Sequence, residues 1–508
     1  MCVVWIIFGD TALLAFAAPS DGAALFKDRR ASCHRDTAIG KAPPASALRC
    51  LTPENILRSL ESCPVQSQGG SLTAEETQAL TRSLTRGPAS ADHGFVLAAN
   101  PRAASGLPGS GLLGRVLHIP ESSGVRLGGM LFLDGNWLAA GGVKPNSVLG
   151  NFGLGLSLDV DTMKALHIEG GEFRAEYLEF DGGNVNGYAG SVQNYNVLVG
   201  SAPFNRHELY QLWWRQNLFR DKLFIKIGKI NGTGEFGQVL IPVPVPEPQM
   251  QDWTISDLIY VPVVENPTLF NRLPGYYDTA YGVIATLTPV KSLDFSYGLF
   301  DGNSARFVKT GLENVPNFNG YQFHIGEVGH SWRLKNEGKP GKVAAGVWRQ
   351  TGKLQKADST FEDGAYGFYV LGSQRLWYRH PGKDPSGVTV FAQYGRTPST
   401  STIATSAVNG GLTALGLIPG RPGDSFGVGV AWAGLNTIPG AGAALFPNVP
   451  SASTSLRSHE LMWQGYYTAT LIPWRIALEG AYTSIPSPGA RPDIPWAHAF
   501  TGRVIVFF

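Results

Sequence analysis

From residue 125 onward, apolar and polar residues alternate with a period of two, as in strands that have one dry and one wet face. In NFGLGLSLDVD, Phe152, Leu154, Leu156, Leu158 and Val160 share one face; Gly153, Gly155, Ser157, Asp159 and Asp161 share the other. In EFRAEYLEF, Phe173, Ala175 and Tyr177 oppose Glu172, Arg174 and Glu176. In GVTVFAQYGR, Val388, Val390, Ala392 and Tyr394 oppose Thr389, Phe391 and Gln393, and in IALEGAYT, Ile476, Leu478 and Tyr482 oppose Glu479 and Thr483. The pattern predicts sixteen strands. Eight lie near 125–134, 151–161, 171–180, 207–216, 221–230, 277–288, 292–301 and 321–334. The other eight lie near 342–351, 366–378, 387–397, 408–418, 425–434, 458–471, 473–484 and 497–508, with 408–418 the least regular. A β-sandwich would alternate too, but here strand follows strand without Greek-key spacing and the polar face repeatedly carries charge. Apolar-out and polar-in around a wet lumen describes an all-β transmembrane fold, a 16-stranded antiparallel β-barrel.

The connections support this reading. Short ones at 219–222, 288–291, 335–341, 418–424 and 472–473 alternate with long ones at 181–206, 231–276, 302–320, 435–457 and 485–496. Barrels of the bacterial outer membrane have short periplasmic turns and long external loops, so both termini are expected in the periplasm. Sixteen strands also leave a water-filled channel, whereas eight are filled by side chains. The chain closes on RVIVFF, where Phe500, Gly502, Val504, Val506 and Phe508 share the outward face.

Composition narrows the alternatives. Charged residues make up 16% of the 508, against about 25% for soluble domains. Glycine reaches 63 residues and aromatics 11%, as expected of many tightly packed strands. Lys+Arg is 41 and Asp+Glu 39, so the net charge of +2 offers no basic excess for a nucleic-acid partner. Mean hydropathy is −0.03 and no run of about 20 apolar residues follows the N-terminus, which argues against helical spans.

Residues 1–18 read as a secretory signal segment: 3–18 are largely apolar and Ala15-Phe16-Ala17 offers a cleavage site, although Asp10 interrupts the run and no Lys or Arg precedes it. Removal would leave Cys33, Cys50 and Cys63, of which two could pair in an oxidising compartment; which two is open. A zinc site would need four close ligands, and only His34 stands near. LTPENILRSLES predicts a helix capped by Thr52 with Pro53 in its first turn, and Thr73 with Glu76 forms a capping box for a second helix over 74–86. Residues 19–110 are thus expected to form a short, partly helical periplasmic extension ahead of a barrel over 111–508.

Several strings go further. HELYQLWWRQNLFRDKLFIKIGKINGTGEF (207–236) resembles the signature hairpin of the carbohydrate-selective porins of the OprB family, with Leu209-Tyr210-Gln211-Leu212-Trp213 joined through Asp221-Lys222-Leu223 to Lys226-Ile227-Gly228-Lys229. YGLFDGN (297–303), GSQRLWYR (372–379), VTVFAQYGRTP (388–398), GLIPGRPGDSFGVGVAW (416–432) and IPSPG (485–489) are similar to the family in the same order. The resemblance spans about 110–508; the N-terminal 90 residues and the Pro-rich IPVPVPEP of the 231–276 loop depart from it. It implies a sixteen-stranded outer-membrane channel for passive diffusion of sugars, mostly glucose-like, narrowed by inward-folded loops with charged and aromatic side chains.

A sugar is neutral, ringed by hydroxyls and apolar on one face, so a selective pore needs paired charges to hydrogen-bond it and an aromatic ring to stack on it. Alternation supplies Glu172, Arg174 and Glu176 as a mixed-charge row. Trp213 and Arg215 share a lumenal face if Tyr210, Leu212 and Trp214 point to lipid. Lys226 lies opposite on the next strand, and Arg126 and Asp134 lie on the first. The 231–276 loop is the expected constriction, since unstructured loops of such length are usually functional, and it carries Glu235, Asp252, Trp253, Asp257, Glu265 and Arg272. Loop 181–206 is the second candidate. The expected partners are permeating sugars and outer-membrane lipid, with homo-oligomers open. No cofactor, metal or nucleic acid is expected. Against an enzyme, His324, His330 and His380 lack an accompanying nucleophile motif. A plugged receptor barrel would need a larger N-terminal domain. A general or anion/small-acid porin, and a barrel whose extension tethers it to the cell wall, are the remaining rivals.

Overall fold

A computed structural model describes residues 111–508, apart from 202–204, 240–256, 276–277, 291, 307–315, 335–338, 357, 382–385, 437–457 and 473–474. The expected signal segment, the cysteines, both N-terminal helices, the IPVPVPEP run, Asp252 and Trp253 lie outside the described residues.

Each of the sixteen expected segments forms a strand. The first eight are β1 (Val125–Ala140), β2 (Ser147–Asp161), β3 (Gly171–Gly182), β4 (Arg206–Leu218), β5 (Leu223–Ile230), β6 (Ala280–Val290), β7 (Leu293–Asp301) and β8 (Gln322–Leu334). The second eight are β9 (Lys339–Gln355), β10 (Phe361–Tyr378), β11 (Gly387–Arg396), β12 (Ala404–Leu415), β13 (Ser425–Leu435), β14 (His459–Ile472), β15 (Ile476–Ile485) and β16 (Ala497–Phe507). Each is antiparallel to its sequence neighbours, and β16 pairs with β1 to close the ring. The irregular segment near 408–418 begins and ends earlier than its pattern suggested, because Gly416 takes φ +64° and opens the turn to β13.

The connections at one end are short, as at 219–222 and 416–424; at the other they run to 183–205, 231–279, 302–321 and 486–496. β1 begins and β16 ends at the short-turn end. Helix α1 (Gly111–Val116) leads into β1. Helix α2 (Thr162–Leu166) makes the β2–β3 turn, capped by Asp161, whose carboxylate accepts from the Met163 and Lys164 amides. Helix α3 (Val185–Ala189) opens the β3–β4 loop.

Leu133, Val347, Phe368, Val428 and Leu478 point outward and exposed, as the alternation requires. Inside, the expectation of a polar wall holds for only part of the circumference. From β5 to β10, Phe224, Ile284, Phe300, Phe323, Trp348 and Tyr369 point inward and pack beneath Phe236, Leu269 and Leu273 of the β5–β6 loop. This is a dry core within the barrel, made because the loop brings its own apolar residues to cover it. Gly346 is required here: a Cβ would stand 2.2 Å from the Tyr369 ring. The phase expected for β4 also needs correction. A bulge opposite Glu176 and Tyr177 sets Gln211 and Tyr210 both inward; Tyr210 is buried with its hydroxyl donating to the Gly275 carbonyl (3.2 Å), while Leu212 and Trp214 keep the outward side.

The seam of the ring has its own lock. Arg503 on β16 forks onto Asp134 on β1, both contacts 2.8 Å. Thr501 donates to Asn136 (2.8 Å), and Asn196 of the β3–β4 loop donates to both Asp134 and Asn136 (2.8 Å each). Outside, Trp137 stacks on Phe500 with centroids 5.6 Å apart. Removing one partner of a buried pair strands the other charge. Asp134→Asn should therefore lower barrel stability by about 3–5 kcal/mol, and a second change, Arg503→Met, should restore part of it. Urea unfolding followed by tryptophan emission checks this; equal stability of wild type and the single variant would show that the seam does not depend on the pair.

Candidate functional site

The register of β2 to β5 builds a polar patch on the inner wall, in rows across the strands. Glu172 stands across from Arg215, and Arg215 across from Lys226. In the next row Asp159, Arg174, Trp213 and Gly228 follow one another, and beyond it Ser157, Glu176 and Gln211. Each cation has a carboxylate: Arg215 donates to Glu172, Arg174 to Asp159, and Lys226 to Glu235 of the β5–β6 loop. Gln211 donates to Glu176 (2.6 Å). Trp213 lies among the cations, with the Lys226 ammonium 4.1 Å and the Arg174 guanidinium 5.7 Å from its ring, and its Nε1 donates to Gln211 (3.1 Å). Position 228, across from Trp213, is glycine with φ +138°; a Cβ there would meet the Leu212 carbonyl oxygen at 2.2 Å, so the strands can approach this closely only with glycine.

The fold brings Glu172, Arg174, Glu176, Trp213, Arg215 and Lys226 together with Glu235, which the sequence assigns to the 231–276 loop, in one neighbourhood. Their exposure differs. The Arg174 side chain is 28% exposed, while those of Glu172 and Arg215 are 6% and 4% exposed. Trp213 is buried at 4% and braces the cations rather than presenting a free face. Arg272 is not part of this patch: it donates to the Ser401 carbonyl (2.7 Å) and so fastens the β5–β6 loop to the β11–β12 connection. Burial pushes its guanidinium down to about 10, with Glu362 opposing.

Two loops fold inward and pair with each other: the Val197 amide donates to the Ile259 carbonyl (2.7 Å) and the Val261 amide to Asn194 (2.9 Å). The β5–β6 loop is tied to the far wall. Tyr260 donates to Asn409 on β12 (2.7 Å), and the Ile259 amide to Gln464 on β14 (2.7 Å). On the other side the Gly237 amide and the Tyr369 hydroxyl both reach Glu327 (2.8 and 2.6 Å). The β3–β4 loop is held by Glu460 on β14, which accepts from Ser191 and from the amides of Val192 (3.0 Å), Gln193 (2.9 Å) and, in the β15–β16 loop, Gly489. Sequence reading did not single out Asp159, Gln211, Tyr260 or Glu460. Asp159 was on the correct face of its strand, but nothing local marked Glu460, whose partners lie 267 or more residues away for the β3–β4 loop.

Residues 148–506 match the family model of the carbohydrate-selective porins, OprB family. The chain belongs to that family. Among solved structures, the high-pH structure of Pseudomonas putida OprB is 16% identical, with a TM-score of 0.65 over 79% of this chain and 99% of that one. The low-pH structure of the same protein is 14% identical, with a TM-score of 0.48 over 76% and 93%. A mutant porin of Rh. blastica is 10% identical, with a TM-score of 0.40 over 76% and 100%. No curated protein matches the chain. At 16% identity the high-pH structure speaks for the fold alone, and the family match carries the activity: an outer-membrane porin for passive diffusion of carbohydrates.

Glu265, in the inward loop of this porin, is buried and its Oε1 meets no hydrogen-bond donor among the described residues. Burial pushes its carboxyl well above the usual carboxylate range. The folded state therefore favours the neutral acid. The stability from that neutral form is full below the ordinary glutamate range and is lost as pH rises toward the raised value. Glu265→Gln should match the wild type at pH 4 and exceed it in thermal midpoint at pH 8. Parallel curves at both pH values would refute a neutral Glu265.

Proposed function

We propose that mono- and small oligosaccharides of glucose type pass along the β3–β5 patch, with Arg174 and Glu176 hydrogen-bonding their hydroxyls. Glu172, Arg215, Lys226, Glu235 and Trp213 hold that pair in place, and the inward β5–β6 loop, carrying Trp253 and fastened by Arg272, narrows the passage. The observation that carries the reading is the pairing of every cation in the patch with a carboxylate. The three pairs offer donors and acceptors while largely cancelling one another's field, and Glu176, held by Gln211, adds one more acceptor, which suits an uncharged solute. An anion or small-acid porin calls instead for unbalanced cations in its constriction. Contacts of moderate strength also suit passage, because a channel must release what it binds. The orientation follows from the same principle of short inner turns and long outer loops: the short-turn end, where β1 begins and β16 ends, faces the periplasm, and both termini with it.

Arg174→Ala should reduce glucose permeation in liposome swelling roughly tenfold, the effect of about 1.4 kcal/mol, with a smaller change in potassium chloride conductance. Glucose permeation equal to wild type would exclude Arg174 from the path. A strongly anion-selective reversal potential without sugar-dependent current block would favour the small-acid reading instead.

A further inference from the structure

The outer wall is apolar over most of its area, so cations on it stand out. Two arginines point outward near the long-loop end. Arg349 on β9 lies between His324 on β8 and Tyr366 on β10, and Arg396, the last residue of β11, lies between Phe368 on β10 and Ser406 on β12. Both are exposed. Neither has a carboxylate across from it on either neighbouring strand, and neither forms a salt bridge among the described residues. Asp363 is two pairs further toward the rim, beyond a bulge and across from Lys353.

The wall has a step at this point. Pairing between β10 and β11 stops at Phe368 and Arg396, while β10 runs on to Phe361. The connection after β11 turns in, and Thr397 donates to the Tyr366 carbonyl (2.6 Å). The step leaves a groove of about 700 Å³ lined by Val347, Tyr366, Phe368, Arg396, Pro398 and Ser406. That volume lies within the usual range of small-ligand sites, roughly 300–1,000 Å³. Phe368 and Tyr394 add rings 6.0 Å apart, of the kind that gathers at the membrane–water boundary.

An arginine facing hydrocarbon is costly at mid-membrane and close to neutral at the boundary, so this pair belongs at headgroup depth. There it needs an anion beside an apolar surface. Guanidinium forks bind phosphate oxygens in pairs, and Val347 and Phe368 supply the greasy floor. We propose that this groove binds a phosphorylated lipid of the outer leaflet: a phosphate is held by Arg396 in the groove, with Arg349 at its edge beside Tyr366, and the upper part of an acyl chain lies over Val347 and Phe368. The placement in the outer leaflet rests on the orientation proposed above.

The test uses the full chain in detergent and in nanodiscs that carry the same lipid in both leaflets, so that binding does not depend on orientation. Labelling of a cysteine placed at residues 358–360 in intact cells reports orientation separately. Bisphosphorylated lipid A, its dephosphorylated form, phosphatidylcholine and inorganic phosphate serve as probes, read by native mass spectrometry and thermal shift. Bisphosphorylated lipid A should bind best. Arg349→Gln and Arg396→Gln should each weaken it by roughly tenfold, and the lysine variants by less. Glucose flux should stay at the wild-type level, since both residues lie outside the lumen, and unchanged heat-modifiable migration would show that the variants fold. Equal binding of lipid A to the wild type and the double glutamine variant overturns the proposal. So does preference for phosphatidylcholine, or a dimer of the wild type that the double variant loses without any change in lipid binding.

Discussion

In a bilayer no water is available to the peptide groups, so each N–H and C=O must find its partner within the protein. A sheet meets this demand only by closing on itself. Closure fixes the rest: β16 must return to β1, the strands must keep one face for lipid and one for the lumen, and every irregularity has to be absorbed in register. The bulge in β4 is such an absorption, and its effect is to place Tyr210 and Gln211 on the same side. Gln211, the last residue in regular register before the bulge, touches both Glu176 and Trp213 and joins two rows of the polar patch.

The inner face is the less uniform one. A wide ring lined only by polar groups would be a broad water channel. Here the aromatic residues of β5 to β10 invite the β5–β6 loop inward, and the loop answers with Phe236, Leu269 and Leu273. A second cluster, with Tyr260, Phe391, Met462 and Tyr466, does the same on the other side. The lumen is thereby shaped by ordinary hydrophobic burial, while the polar patch of β2 to β5 is fixed by charge pairs and meets the first cluster at Trp213.

Much of this was legible in the sequence because period-two alternation is a local signal. It places all sixteen strands and puts Glu172, Arg174 and Glu176 on one face without any knowledge of neighbours. Residues that lie three strands or a whole loop apart are a different matter. Arg272 carries the same charge as Arg215, yet it fastens a loop to Ser401, and no pattern along the chain distinguishes the two uses. Glu460 sits on a strand like any other inward carboxylate; its role depends on loop amides that only the folded barrel brings to it. Tyr210 was misplaced for a related reason, since a bulge shifts the phase and leaves no mark in composition.

The seam between β1 and β16 joins Asp134 to Arg503 across 369 residues of sequence. Hairpins of adjacent strands need only short turns, so they come together at small entropic cost, whereas the seam requires the two ends of the wall to meet. Closure therefore depends on the longest-range pairing in the wall: a sheet of hairpins becomes a ring only when β16 meets β1. Without β16, both β1 and β15 would present a bare edge in an environment that tolerates none, so the eleven residues of β16 decide whether the other fifteen strands make a wall that can lie in a membrane.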